Sequence, residues 1–302
     1  MKTTLRVLGA LAVVALLLAP LRLDGYWLNL LYTTVLYVGL AYGWNVISGY
    51  AGYFSFGQIA FFGVGAYVTG MLVADLQWYW VLAALAGGVV ACALALPLGY
   101  VMLRLRGPFF AMGMFGMAQM VRVVVTAIPA TGSGAGLFLP PGSSLTGVYY
   151  WTLAVCLGAL ALTAWLDRSA FGLRLQALRE DEQVAGTLGV DVTRAKITAF
   201  GLSALIPGLL GGGYALVLTY IEPDAAFSSR LDLQSIVMAI LGGVGTVWGP
   251  LAGGVVMTQI SEALWAKFPQ IYLMLFGGLL VALLLALPRG IVPAVAARLR
   301  AR

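Results

Sequence analysis

From Leu28 to Ser48 the chain passes no charged side chain, and from Trp78 to Leu103 it does so again over a longer stretch. A helix of about 20 apolar residues, rising about 1.5 Å per residue, crosses the hydrocarbon of a bilayer. Charged residues make up 9% of the 302 and hydrophobic ones 62%, whereas a soluble domain carries roughly 25% charged residues to build its polar shell. The expected fold is therefore all-α: a polytopic membrane helical bundle forming a single transmembrane domain over residues 1–302.

Apolar runs bounded by charge, proline or glycine clusters give ten expected segments. They are Leu5–Leu21, Leu28–Ser48, Ile59–Ala74, Trp78–Leu103, Pro108–Ala127, Val148–Leu166, Ile197–Tyr220, Leu233–Gly243, Trp248–Glu262 and Ile271–Leu287, two of them short or discontinuous. Lys2 and Arg6 precede the first as in a signal peptide, but no small-x-small cleavage site follows before Asp24, so a retained helix is expected. Ten crossings bring both termini to one face. That face collects Lys2, Arg6, Arg104, Arg106, Arg168, Arg174, Arg179, Arg194, Lys196, Arg289, Arg298, Arg300 and Arg302. By the positive-inside rule it is cytoplasmic. Asp24, Asp75, Glu222 and Asp224 then lie outside, which the rule tolerates.

Several chemistries are excluded. The chain has no histidine, which removes His-based triads and most zinc sites. Cys92 and Cys156 stand alone in apolar segments and read as packing residues, so no metal or cofactor is expected. There is no Gly-Lys pair and hence no phosphate-binding P-loop; if ATP drives this protein, another chain binds it. The formal charge of +6 is not arranged as a basic run interleaved with aromatics, so membrane lipid rather than nucleic acid is the expected surrounding. No two acids share helical spacing inside a span, so an intramembrane enzyme is disfavoured too.

Two interruptions stand out. Gly49-Tyr50-Ala51-Gly52-Tyr53-Phe54-Ser55-Phe56-Gly57-Gln58 breaks one apolar region, and Leu241-Gly242-Gly243-Val244-Gly245-Thr246-Val247-Trp248-Gly249-Pro250 breaks another. Glycine costs about 1 and proline about 3 kcal/mol in a helix interior relative to alanine. The second stretch therefore reads as a turn between two short or re-entrant elements. Irregular backbone at membrane depth survives only inside protein or beside a water-filled cavity, and broken helices point to a translocation path. Close helix packing is the competing explanation, and the expected one for isolated glycines such as Gly87, Gly88 and Gly158. The candidate pathway residues are Gly52, Ser55, Phe56, Gly57, Gln58, Gly242, Gly243, Gly245 and Thr246.

Residues 167–196 are the one stretch resembling an aqueous element, with ten of the chain's charges. Phe171, Leu175 and Leu178 recur at helical spacing and give an apolar face, while Arg174, Glu180 and Asp181 lie elsewhere around the helix. Such a helix on the cytoplasmic surface is either an interfacial anchor or a docking surface. Gly189 reads as a helix stop and Asp191 to Thr193 as the next start.

Three ordered motifs resemble the inner-membrane permeases of branched-chain amino acid ABC importers, of the LivM type: GYAGYFSFGQIAFFGVGAY at Gly49 to Tyr67, FGLRLQALREDEQVAGTLGVDVTRAKITAF at Phe171 to Phe200, and ILGGVGTVWGPLAGG at Ile240 to Gly254. RLRGPFFAM at Arg104 to Met112 and TGSGAGL at Thr131 to Leu137 lie between the first two. The resemblance implies a bacterial or archaeal plasma membrane. It also implies cytoplasmic ATPase subunits, a second related permease, and a periplasmic or extracellular substrate-binding protein. It makes residues 167–196 a coupling loop, with ATPase coupling at Leu178, Arg179, Glu180, Asp181, Glu182 and Gly189. Where such permeases often carry Glu-Ala-Ala, this chain reads Gln183-Val184-Ala185. The implied substrate is a branched aliphatic amino acid, moved by alternating access.

Urea or short-amide ABC permeases share a closely similar architecture. A channel or secondary transporter for a small polar solute is the alternative from another class. It would need ionisable groups at membrane depth, and here Arg122 lies within a span with Asp232 and Glu262 near ends. Arg122 has no acid at i−4 or i+4, so it either snorkels or points into a pathway.

Overall fold

The computed structural model describes residues 14–23, 25–132, 134–140, 144–268, 270, 271, 274, 275, 277, 278 and 290–300. Most of Leu5–Leu21 and of Ile271–Leu287 lies outside them. The expected segments between these two each fall on a helix. α1 (Gly25–Trp44) runs on as a π-helical turn, Asn45–Tyr50, before the chain breaks; α2 is Gln58–Ala74, α3 Trp80–Met102, α4 Pro108–Ala127 and α5 Leu145–Leu166. The polar stretch then forms α6 (Ala170–Glu180) and α7 (Glu182–Thr187). Next come the long α8 (Val192–Leu218), the single-turn α9 (Pro223–Ala226), α10 (Ser229–Gly242), α11 (Gly249–Lys267) and α12 (Ile291–Arg300). A two-residue ribbon pairs β1 (Leu137–Phe138) antiparallel with β2 (Tyr220–Ile221), Leu137 opposite Ile221 and Phe138 opposite Tyr220.

Among the described residues five helices are long and apolar enough to span a bilayer, and their burial sorts them. In one apolar 18-residue stretch of each span, 78% of the residues are buried for Gly25–Tyr50 and 67% for Val192–Leu218, against 33%, 28% and 33% for Trp80–Met102, Pro108–Ala127 and Leu145–Leu166. α1 and α8 are thus central, while fewer of the residues of α3, α4 and α5 are buried. In lipid no hydrophobic force draws helices together, so small residues set the contacts. α2, α3 and α8 pack most closely. A Cβ on Gly65 would lie 2.0 Å from the Gly208 carbonyl oxygen, and one on Gly211 2.0 Å from that of Phe62. Gly87 and Gly88 are packing glycines as expected, their Cβ positions 2.6 Å from the Gly65 carbonyl oxygen and 2.4 Å from Leu209. Gly158 is not: nothing lies within 4 Å of its Cβ position.

The polar arm is capped as its sequence suggests. Ser169 Oγ accepts from Gly172 N at 3.0 Å, Asp181 Oδ1 from Gln183 N at 2.7 Å and Val184 N at 3.0 Å, and Asp191 Oδ1 from Arg194 N at 3.0 Å. Each satisfies amides that a helix start leaves open. Gly189, at φ +85°, ends α7. Leu175 and Leu178 are buried against the bundle, with Phe171 stacked on Trp165, so the expected apolar face faces inward.

Candidate functional site

The first interruption begins where α1 widens into its π turn, which displaces carbonyls from their ordinary partners. Side chains take up the freed groups. Ser48 Oγ donates to the Tyr53 carbonyl at 2.9 Å and accepts from Ser55 N at 3.2 Å, and Trp44 Nε1 donates to the Ser55 carbonyl at 2.8 Å. Gly57 precedes α2 with Met114 backbone against it, 2.6 Å from a Cβ position to the carbonyl oxygen. Gln58 opens α2 and donates to Ser203 Oγ at 3.3 Å, while its Oε1 has no partner.

The second interruption separates α10 from α11. Gly242 lies so close to the start of α11 that a Cβ would sit 1.8 Å from the Gly249 carbonyl oxygen. Gly243 and Gly245 take φ of +125° and +74°, which L residues rarely adopt. Thr246 Oγ1 ties the loop together, donating to the Gly243 carbonyl at 2.8 Å and accepting from Gly249 N at 3.0 Å. Pro250 then sits in the first turn of α11, where its missing N–H costs nothing.

The two interruptions meet. Asn45, fully buried in the π turn, accepts from Gly245 N at 2.8 Å and donates to the Thr246 carbonyl at 3.1 Å. Tyr42 Oη donates to the Val247 carbonyl at 2.9 Å. The arm joins them: Arg179 Nη1 donates to the Gly49 carbonyl at 2.7 Å, and a Cβ on Gly245 would lie 2.8 Å from that nitrogen. Gly52, at φ +81°, lies beneath the same side chain, its Cβ position 2.8 Å from Arg179 Cγ. One guanidinium therefore touches both breaks.

Among the described residues, two cavities adjoin this junction and a third adjoins the first interruption at Phe56. One of about 570 Å³ is walled by Gly49, Tyr50, Ala177, Arg179 and Gly245 among others. A second, of about 360 Å³, lies between Gly52 to Phe54 and Leu178 to Gln183, beside Arg106 and Phe110. The third is an apolar groove of about 370 Å³ lined by Phe56, Ala111, Met112, Phe115, Ser229, Asp232 and Leu233. Of the expected pathway residues, Gly52, Phe56 and Gly245 line these spaces. Ser55, Gly57, Gln58, Gly242 and Gly243 are buried and hold the backbone in place, and Thr246 is half-buried beside them.

The arm's expected coupling residues divide similarly. Leu178 is buried, Asp181 caps α7, and Glu182 turns inward to Lys196 Nζ at 2.6 Å and Arg106 at 3.3 Å. Arg179, Glu180 and Gly189 are exposed. Reading the sequence did not single out Asn45, an amide in an otherwise apolar stretch, or the outward Val184 and Leu188, 54% and 76% exposed. Arg122 neither snorkels alone nor lacks an acid: it pairs with Asp224 of α9, distant in sequence, which helical spacing could not reveal.

The sequence model of the family described as "Branched-chain amino acid transport system / permease component" matches residues 26–284. The chain is 27% identical to the high-affinity branched-chain amino acid transport system permease protein LivM of Salmonella typhimurium over 293 residues, covering 86% of this chain and 68% of that protein. It is 25% identical to LivH of Escherichia coli K12 over 284 residues, covering 84% and 90%. The autoinducer 2 import system permease protein LsrC of Yersinia enterocolitica shares 28% identity over 120 residues, 38% of this chain and 32% of that protein. No solved structure matches the chain. With the family model matching residues 26–284, and LivM and LivH similar over 86% and 84% of its length, the chain belongs to the permease components of branched-chain amino acid ABC importers.

Proposed function

We propose that this chain forms half of a membrane pathway for branched-chain amino acids. In this reading, a second permease supplies the other half and a periplasmic or extracellular receptor delivers the substrate. ATPase subunits dock on residues 167–196 from the cytoplasm, where both termini also lie. Alternating access needs two arrangements close in free energy, whose populations the partners' binding shifts. The clustered glycines of the two breaks allow such repacking, and the arm supplies the connection.

The observation that carries this reading is the hydrogen bond from Arg179 to the Gly49 carbonyl beside Gly245. Through it, movement of the docking arm reaches both breaks without an intermediary. The test reconstitutes the permease with its ATPase and receptor and measures uptake of labelled leucine against urea. Arg179→Ala should lose leucine uptake while retaining bound ATPase subunits. Uptake at the wild-type rate in Arg179→Ala would remove the coupling role, and preferred uptake of urea would remove the substrate.

A further inference from the structure

The pathway reading leaves one carboxylate at membrane depth without a task. Asp232 belongs to the first turn of α10 and is 5% exposed. Its depth follows from its neighbours. From the β ribbon the chain folds back along α2, with Ile221 against Gly70, Phe227 against Gly63, and Asp232 at Ile59. On its other side the groove is walled by Ala111, Met112 and Phe115 of α4, inside the span Pro108–Ala127.

The backbone of Ile59, in the first turn of α2, lies beside the Asp232 carboxylate. Oδ1 has no partner, and among the described residues no Lys or Arg forms a salt bridge with it. An ionised carboxylate this far from water is costly unless a cation meets it, and such residues in membrane proteins are functional as a rule. The rest of the lining is apolar apart from Ser229. The groove opens on the outside of the bundle, where Met112, Phe115 and Leu233 are 62%, 47% and 49% exposed. A second permease would close that side into a lumen.

We infer that Asp232 is a subsite for the ammonium group of an amino-acid substrate, whose aliphatic part lies against Phe56, Met112, Phe115 and Leu233. The inference rests on the functional reading above and deepens it. A site with one charged acceptor in an apolar cleft of about 370 Å³ suits a small ligand with one cationic end and a branched hydrocarbon body. Helix capping does not account for the carboxylate, since the start of α2 has no side-chain cap hydrogen bond, and it would not require the outward-opening apolar walls.

The test compares Asp232→Asn with wild type in the full complex of permeases, ATPase and receptor in proteoliposomes. Leucine uptake should fall about tenfold, as for loss of a charge-assisted hydrogen bond. Assembly and receptor-stimulated ATP hydrolysis should persist, and Asp232→Glu should recover part of the uptake. Separately, leucine-loaded receptor should slow maleimide labelling of Met112→Cys, and adding Asp232→Asn should abolish that protection. Undiminished uptake by Asp232→Asn, or Met112→Cys labelling that leucine does not slow, overturns the inference alone. Loss of assembly in Asp232→Asn also overturns it and makes the residue an interface or capping group. A wild-type complex that imports no branched-chain amino acid overturns the functional reading, and with it the ligand assigned here.

Discussion

The Glu182 carboxylate lies 2.6 Å from Lys196 Nζ, and the same ammonium sits 4.9 Å from the centroid of the Tyr53 ring. The first residue of α7, the base of α8 and the first interruption are thereby held by one cation. The Lys196 and Glu182 side chains are 9% and 18% exposed, whereas Arg106, the second partner of Glu182, is 67% exposed. Removing one member of a well-shielded pair strands the other, at about 3 kcal/mol. An exposed partner is worth about 0 to 1 kcal/mol. Glu182→Ala should therefore melt well below wild type in purified complex, and Arg106→Ala close to it. Glu182→Ala with Lys196→Ala should lose less than the sum of the single changes. Equal losses for Glu182→Ala and Arg106→Ala would show that the Lys196 contact adds nothing.

Asn45 holds the second interruption with both ends of its amide, accepting from Gly245 N and donating to the Thr246 carbonyl. Asn45→Ala leaves both backbone groups without that partner, at about 1 to 3 kcal/mol for each that stays unsatisfied. Asn45→Asp keeps an acceptor, loses the donor and adds a charge at a fully buried position. Its loss should exceed that of Asn45→Ala, because desolvating an unpaired carboxylate outweighs the retained bond. Thermal unfolding followed by size-exclusion profile separates the two. An Asp variant as stable as wild type would mean that water reaches this junction.

Glycine substitutions should divide according to what their Cβ would meet. At Gly242 it would meet backbone, 1.8 Å from the Gly249 carbonyl oxygen, and at Gly57 backbone again, 2.6 Å from that of Met114. Backbone of neighbouring helices cannot step aside as a flexible side chain can, so Gly242→Ala and Gly57→Val should each cost about 1 to 3 kcal/mol and reduce uptake. Gly158 lies inside α5 with nothing within 4 Å. Gly158→Ala should leave uptake unchanged and gain up to about 1 kcal/mol of helix propensity. Wild-type uptake by Gly242→Ala would show that the α10 to α11 crossing tolerates separation.

What was legible in the sequence is what local chemistry dictates. Charge-free runs gave the crossings, glycine and proline clusters the two breaks, and Asp191 and Gly189 the ends of the arm. What was not legible depends on residues far apart in the chain. Asn45 reads as an ordinary member of an apolar run until the loop at Gly245 lies beside it, and Arg122 looks unpaired until α9 brings Asp224 to it. Asp232 looks like the edge of a span because periodicity cannot show that residues 221–232 fold back into the bundle. Its burial follows from that fold-back. The pairing of both breaks' backbone groups by side chains was equally hidden, since a glycine cluster indicates where a helix stops but not what receives its free amides.

The outward face of α7 makes the last prediction. Val184 within α7 and Leu188 at its C-terminal cap are 54% and 76% exposed, whereas Asp181 and Glu182 at its start are engaged within the chain. Under the docking of the ATPase on residues 167–196 proposed above, these two exposed apolar side chains are the ones that would meet the partner. Their replacement should leave the fold alone while removing the apolar centre of a docking site, where interface energy is concentrated. Val184→Asp with Leu188→Asp should co-purify with little or no ATPase, yet melt within about 0.5 kcal/mol of the wild-type permease, as surface substitutions do. Full retention of the ATPase by this double variant would move docking off α7 and onto the exposed Arg179 and Glu180 end of α6. In that case Arg179 would meet the partner directly, and its bond to Gly49 would change with ATPase binding rather than relay it.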